Sequence, residues 1–324
     1  MFKKDLRIVY LGTPNISAIV LENLIKNGYK IVGVVSQVDK PQGRKMVITP
    51  TPTKLIGQKY NIPVFQPVKI RDDYAFLSEL KPDIILTMAY GQIIPQVVLN
   101  IPTFLPLNLH GSILPKYRGA SPIQSALLNG DKSTGITLME MVDKMDAGKM
   151  FYKKEIAISN EDNYETLSIK LAHLAYEVFD EGIQNVIDGI NKGEEQDENL
   201  VTFTKKIKPE ESFIDFNDSA EAIVNKIRAF YPDPGTYFVF NGEKIKLGKA
   251  KVIETNHQKN SATILTYNKN EFIIACKENA LSIELLQKPG KKMMDYKSFF
   301  NGNQKLFKEN ELIKWSKSNY QFMN

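Results

Sequence analysis

At 324 residues and 43% hydrophobic content, the chain can bury a large core, and two domains suit that length better than one. A single cysteine, Cys276, excludes an internal disulfide framework, and three histidines (His110, His173, His257) without a cysteine pair argue against a dedicated zinc site. The net charge of +5 sits late in the chain: residues 205–324 carry 20 Lys and Arg against 14 Asp and Glu, whereas residues 1–204 carry 22 against 23. That excess suits a polyanionic partner, although a Lys-rich solvated surface explains it equally well.

No apolar run reaches the roughly 18 residues that a membrane span needs. The opening MFKKDLRIVYLGTP runs into a Gly-Thr-Pro turn without a small-residue cleavage site, so a first buried strand is expected rather than a signal segment. Residues 6–11 form that strand pattern, residues 15–27 have helical periodicity, and residues 30–36 form a second buried-strand pattern. Strand, helix, strand in this spacing is a βαβ unit and predicts a parallel, doubly wound sheet. The first turn lacks GxGxxG, which argues against a dinucleotide site. Residues 37–54 (QVDKPQGRKMVITPTPTK) are far longer than a connection of about two to six residues. With Lys40, Arg44 and Lys45 around Gly43, they are either a loop that reaches for phosphates or a solvated insertion. A helix over 53–60, a short strand over 62–65, a helix over 72–80 and an apolar strand over 84–88 follow. Ala89-Tyr90-Gly91 leaves that strand at its C-terminal end, where open α/β sheets collect ligands. Residues 90–94 are thus a candidate pocket wall, or a plain strand-to-helix turn.

The stretch 105–148 holds the densest chemistry. A strand over 105–110 puts Asn108 and His110 on one face, since alternate side chains point the same way. The strand breaks at Gly111, a helix starts near Ser121, a strand spans 136–141, and Asp146 arrives beside Gly148. An amide donor, an imidazole and a carboxylate are the parts of acyl transfer to an amine. The carbonyl oxygen that gains negative charge needs hydrogen-bond donors, and the amine's proton needs a route out. Asn108 can donate, His110 can donate or shuttle a proton, and Asp146 favours the charged imidazole. Taken alone, the N-x-H spacing fits a structural pair capping a turn as well.

Beyond it come a strand over 149–157 and a long helix over 161–189, in which His173 is read as a surface or packing residue. The apolar-free run 191–199 is read as a linker or exposed turn. A helix over 220–230 precedes short strands over 236–240, 244–253, 262–266, 271–275 and 281–286. These predict a small β-barrel, either a nucleic-acid binder or a packed scaffold. The expected domains are 1–190, a linker 191–208, and 209–324.

In order along the chain stand Asn108-Leu109-His110-Gly111-Ser112-Ile113-Leu114-Pro115-Lys116-Tyr117-Arg118-Gly119, then Pro122, Thr134-Gly135-Ile136-Thr137 and residues 141–148. This succession resembles the signature of formyltransferases and hydrolases that use 10-formyltetrahydrofolate. The resemblance extends over nearly the whole chain to the methionyl-tRNA formyltransferase family, through Gly12-Thr13-Pro14, residues 41–54, Ala89-Tyr90-Gly91, RAFYP at 228–232 with Pro234-Gly235, and PGKK at 289–292. It implies an α/β fold, with a Rossmann-like formyltransferase domain of mostly parallel sheet and a smaller OB-like β-barrel domain after it. It implies that Asn108, His110 and Asp146 are catalytic. Ser112, Ile113, Leu114 and Pro115, with Tyr90, Gly91 and Ile93, would lie against the folate, and no metal would take part. Lys40, Arg44, Lys45, Lys206, Lys291 and Lys292 would face tRNA. The implied activity is formylation of methionyl-initiator tRNA by a cytoplasmic monomer.

The alternative keeps the chemistry and changes the acceptor to a small amine, such as an amino-sugar nucleotide or glycinamide ribonucleotide. The basic loop and barrel argue against it, because a small substrate needs neither. A tRNA-binding module with a vestigial site is opposed by the intact trio. Two departures stand out: the loop reads Gly43-Arg44-Lys45-Met46-Val47 where the family often has G-R-G-K-K, and Asn15-Ile16 stands where Asp-Phe is common.

Overall fold

Arg7–Gly12 (β1), Asn15–Lys26 (α1) and Lys30–Val35 (β2) form the expected βαβ unit, with β1 and β2 parallel. The computed structural model describes residues 1–43 and 45–313, so Arg44 and Trp315 lie outside the described residues. After β2, Lys40–Gln42 (β3) and Val47–Thr49 (β4) pair antiparallel. The stretch expected as one long irregular connection is therefore a hairpin. Pro52–Lys59 (α2) follows it; Thr51 caps this helix by accepting from Lys54 N at 3.4 Å, and Pro52 occupies the first turn, where no N–H is missed.

Val64–Phe65 (β5), Ala75–Glu79 (α3), Ile84–Met88 (β6), Gln96–Leu99 (α4), Leu105–His110 (β7) and Arg118–Gly119 (β8) come next. Pro122–Leu128 (α5) leads out of the first unit; Ser133–Glu140 (β9) and Met150–Ala157 (β10) return to it, and Tyr164–Ile187 (α6) closes the series. The seven-stranded sheet has the order β10-β9-β7-β6-β1-β2-β5. From β5 to β7 all neighbours are parallel, and β9 is antiparallel to both β7 and β10. All five residues of β6 are buried, as a strand covered on both faces requires. Strand order reverses at β1, so the crevice beyond the C-terminal ends of β1 and β6 is the place where doubly wound sheets take ligands. α6 buries a stripe that includes Leu167, Leu171, Val178 and Phe179, while His173 is exposed.

The chain's contacts group residues 1–122, 133–158 and 167–205 as one unit, and 123–132, 159–166 and the residues from 206 on as a second. Of residues 191–208, expected as a linker, those up to 205 group with the first unit, where Phe203–Thr204 (β11) pairs in parallel with β8, and those from 206 with the second. In the second unit, Ser219 caps Ala220–Phe230 (α7), which ends where Tyr231-Pro232 cannot continue a helix. Thr236–Phe240 (β12), Glu243–Ile253 (β13), Ile264–Tyr267 (β14), Phe272–Ala275 (β15), Ala280–Gln287 (β16) and Met294–Asp295 (β17) pair antiparallel throughout, and Tyr296–Asn303 (α8) follows. The order is β12-β13-β16-β15-β14, with β17 beside β16. No ladder among the described residues joins β12 to β14, the partly open five-strand form of an OB-like barrel. Its core is aromatic, with Phe272, Phe307 and Tyr267 in mutual ring contact.

Candidate active site

β7 carries Asn108 and His110 on one face, and its register aligns Asn108 with Thr87 of β6 on one side and Met139 of β9 on the other. His110 is buried, its side chain 5% exposed. Its Nε2 lies 2.9 Å from the carbonyl oxygen of Tyr117, and its Nδ1 lies 3.6 Å from Oδ2 of Asp146. The Tyr117 carbonyl can only accept, so Nε2 carries a hydrogen there, while Nδ1 faces the carboxylate beyond hydrogen-bond distance. The structure therefore brings the imidazole and carboxylate together, with Asn108 one strand position back on the same face.

Asp146 is held as closely as it holds. Its Oδ2 accepts from Gly119 N at 2.8 Å, and its backbone is left-handed, with φ of 51°. Asp tolerates that region better than most residues. Two glycines make the approach possible. A Cβ on Gly119, whose φ is 117°, would sit 2.4 Å from the carbonyl oxygen of Thr204. A Cβ on Gly148 would sit 2.1 Å from that of Glu140. Gln196 donates through Nε2 to the carbonyls of Asp146 and Gly148, at 2.9 and 2.8 Å, and accepts from Nε of Arg118 at 2.9 Å. Arg118 is fully buried and reaches Glu198 at 2.9 Å, which, together with Lys144, holds the Glu198 carboxyl below the usual range.

The loop after β7 is fixed from β9. Thr137 Oγ1 donates to Ser112 O at 2.7 Å and accepts from Leu114 N at 3.1 Å, while Ser112 Oγ donates to Lys116 O at 2.6 Å. Ser112 and Leu114 are consequently buried, Leu114 against Met139 and Met150, and Ile113 and Pro115 keep partial exposure. At the switch point, Thr13 Oγ1 donates to Tyr90 O at 2.8 Å, and Gln37 Nε2 donates to the same carbonyl at 3.2 Å. The Tyr90 ring is buried in the core and burial pushes its hydroxyl up to about 12; Gly91 is exposed in a left-handed turn, and Ile93 is 82% exposed. The hydroxyls of Thr87 and Tyr90 are buried without partners.

Of the cations expected to face tRNA, Lys40 and Lys45 are exposed on the hairpin of the first unit, and Lys206, Lys291 and Lys292 are exposed in the second. Sequence reasoning gave no role to Arg118, Thr137 or Gln196. Arg118 and Thr137 stand inside the quoted motifs, which was a usable signal. Gln196 lies in the run read as a linker and offered none. No helix among the described residues is long and apolar enough to cross a membrane, and none of their His, Cys, Asp and Glu side chains cluster to hold a metal.

Residues 6–183 match the family described as "Formyl transferase", and residues 206–304 match "Formyl transferase, C-terminal domain". The methionyl-tRNA formyltransferase of Lactobacillus johnsonii is 42% identical over 91% of this chain and 95% of its own. That of Bacillus subtilis is 41% identical over 91% and 94%. Among solved structures, HypX of Aquifex aeolicus in complex with tetrahydrofolic acid superposes with a TM-score of 0.65 at 18% identity, over 96% of this chain and 50% of that one. The chain thus spans about half the length of HypX. An N-formyltransferase from Helicobacter canadensis, in complex with folinic acid and dTDP-3-aminofucose, superposes with a TM-score of 0.65 at 20% identity, over 87% and 99%. These two show a shared fold, whereas the matches over both units and the identities above 40% place the sequence itself: the chain belongs to the formyl transferase family, in its methionyl-tRNA formyltransferase branch.

Proposed function

We propose that the protein transfers the formyl group of 10-formyltetrahydrofolate to the α-amino group of methionyl-initiator tRNA, yielding N-formylmethionyl-tRNA for translation initiation. The observation that carries this reading is His110 held between the Tyr117 carbonyl and the Asp146 carboxylate, beside Asn108, in a chain 42% identical to a methionyl-tRNA formyltransferase.

The described residues fit a folate. No hydrogen bond among them occupies the side-chain amide of Asn108. Two buried hydroxyls, on Thr87 and Tyr90, lack partners where β6 ends, and exposed Ile93 offers apolar cover. With Ser112 and Leu114 buried, Ile113, Pro115 and the turn at Gly91 carry the contact. The folate supplies the activated formyl carbon. Asn108 donates its amide hydrogen to the formyl oxygen as negative charge develops there, and one such donor is worth on the order of 3–4 kcal/mol of barrier. His110, two residues on along the same face of β7, stands beside that oxygen and is paired with Asp146. As the amine forms its new N–C bond and the bond to the departing folate nitrogen breaks, Asp146 and His110 take the amine's proton and return one to that nitrogen. Lys40 and Lys45 of the hairpin, Lys206, Lys291 and Lys292 of the second unit, and Arg44 contact tRNA phosphates. The enzyme acts as a cytoplasmic monomer.

The test incubates the protein with methionyl-tRNA and 10-formyltetrahydrofolate and follows formyl-methionyl-tRNA. Its absence, with turnover of an amino-sugar nucleotide or glycinamide ribonucleotide instead, overturns the reading.

A further inference from the structure

We infer that Gln196 is a positioning residue for formyl transfer, holding the Asp146 turn against His110 from a segment that lies beyond the catalytic sheet in sequence. The inference rests on the reading of Asp146 as a catalytic carboxylate.

The geometry leaves Gln196 one orientation. Its Oε1 must face the guanidinium of Arg118, which donates only, so both hydrogens of Nε2 point the other way. They meet the carbonyls of Asp146 and Gly148, which flank Ala147 in the turn that bears the carboxylate. The partner that fixes Gln196 is itself held: Arg118 is fully buried, its backbone lies in the β8–β11 ladder, and its guanidinium reaches Glu198. Gly119, the next residue, gives its N–H to Oδ2 of Asp146. One short strand therefore holds the carboxylate directly and the turn's backbone through Gln196. Without the amide, Asp146 keeps a left-handed φ with two carbonyls released. A catalytic group displaced by about 1 Å can cost on the order of 100-fold in rate.

The experiment compares Gln196→Met and Gln196→Glu in the full chain, each alone and combined with Asp146→Asn. Met keeps the length and removes every hydrogen bond. Glu keeps the shape and the contact with Arg118 but turns a carboxylate oxygen on the two carbonyls. Steady-state formylation should show kcat lowered about 10- to 100-fold by either substitution, with KM for folate and for tRNA within about twofold of wild type. In the Asp146→Asn background the same substitutions should change kcat less than about twofold, since groups that act as a unit are not additive. Additive losses, or wild-type kcat in a folded Gln196 variant, overturn the inference. Should the Met variant fail to fold, the Glu variant decides. An Asp146→Asn enzyme as active as wild type overturns instead the role of Asp146, and a wild type that formylates no tRNA overturns the proposed function.

Discussion

The turn that bears Asp146 and the hairpin of β3 and β4 both leave strands of one sheet, yet they are held in different ways. Around His110 and Asp146, backbone and side chains are tied by buried bonds from Thr137, Gly119 and Gln196. Among the described residues, the side-chain bonds that fasten the hairpin lie at its root. Asp39 takes Lys54 at 2.5 Å and Gln66 at 2.7 Å, and Thr51 and Thr53 meet Ser36. Past that root, Met46, Val47 and Ile48 stand 67%, 59% and 68% exposed. Chemistry on a carbonyl needs groups fixed to a fraction of an ångström, whereas contact with a long polyanion needs reach. The sequence spends buried hydrogen bonds on the first region and exposed residues on the second.

The sharpest way to break this comparison is at the donor. Asn108→Ala should lower kcat about 100- to 1,000-fold in a formylation assay, as loss of one oxyanion donor does, with folate KM nearly unchanged. A near-normal rate would remove Asn108 from the mechanism. Next, Thr137→Val deletes a buried hydroxyl that serves Ser112 O and Leu114 N. Leaving those groups unpaired should cost about 1–3 kcal/mol of stability, read as a lowered Tm together with reduced kcat. Unchanged values for both would show that the loop is not pinned from β9. At the hairpin, Lys40→Ala combined with Lys45→Ala should raise the tRNA KM several-fold and reduce the slope of log affinity against log salt by about 2. Tm should shift little, because both side chains are exposed.

The smallest effect concerns the hairpin's root. Gln66 first, then Lys54, hold the Asp39 carboxyl below its usual range. A carboxylate depressed in the folded state contributes stability that is present above its unfolded value, about 3.9. That stability is lost as pH falls through the lower folded value. Corrected for the intrinsic exchange rate, the hydrogen-exchange protection of residues 37–54 should therefore fall more between pH 5 and pH 3 than that of β7, and Gln66→Leu should shrink the difference. Equal pH responses in the two segments would show that the ion pair does not fasten the hairpin.

Much of the centre is legible in the sequence. The period-2 placement of Asn108 and His110, the apolar runs of β1 and β6, and the motif order around Asp146 are local patterns, and the fold uses them locally. The hairpin is less legible: two three-residue strands are too short for alternation to show, and Pro41 and Gly43 look like turn residues throughout. Gln196 is the instructive failure. A polar, Gly-containing run is normally solvated, and nothing in NKGEEQDEN marks one amide as buried against carbonyls about 50 residues back. Burial of a single polar group by long-range hydrogen bonds leaves no periodicity to read. Ser112 and Leu114 show a related gap, since motif membership placed them near the folate while packing against β9 covers their side chains.

The β8–β11 pairing has a consequence for the order of synthesis. Asp146 and its turn leave the ribosome 50 residues ahead of Gln196, and Gly119 more than 80 ahead of Thr204. At about 5–20 residues per second, the carboxylate-bearing turn waits several seconds for the segment that clamps it. A fragment ending at 183, where the family match to the first unit stops, would keep Asn108, His110 and Asp146 and lack the amide that holds the Asp146 turn.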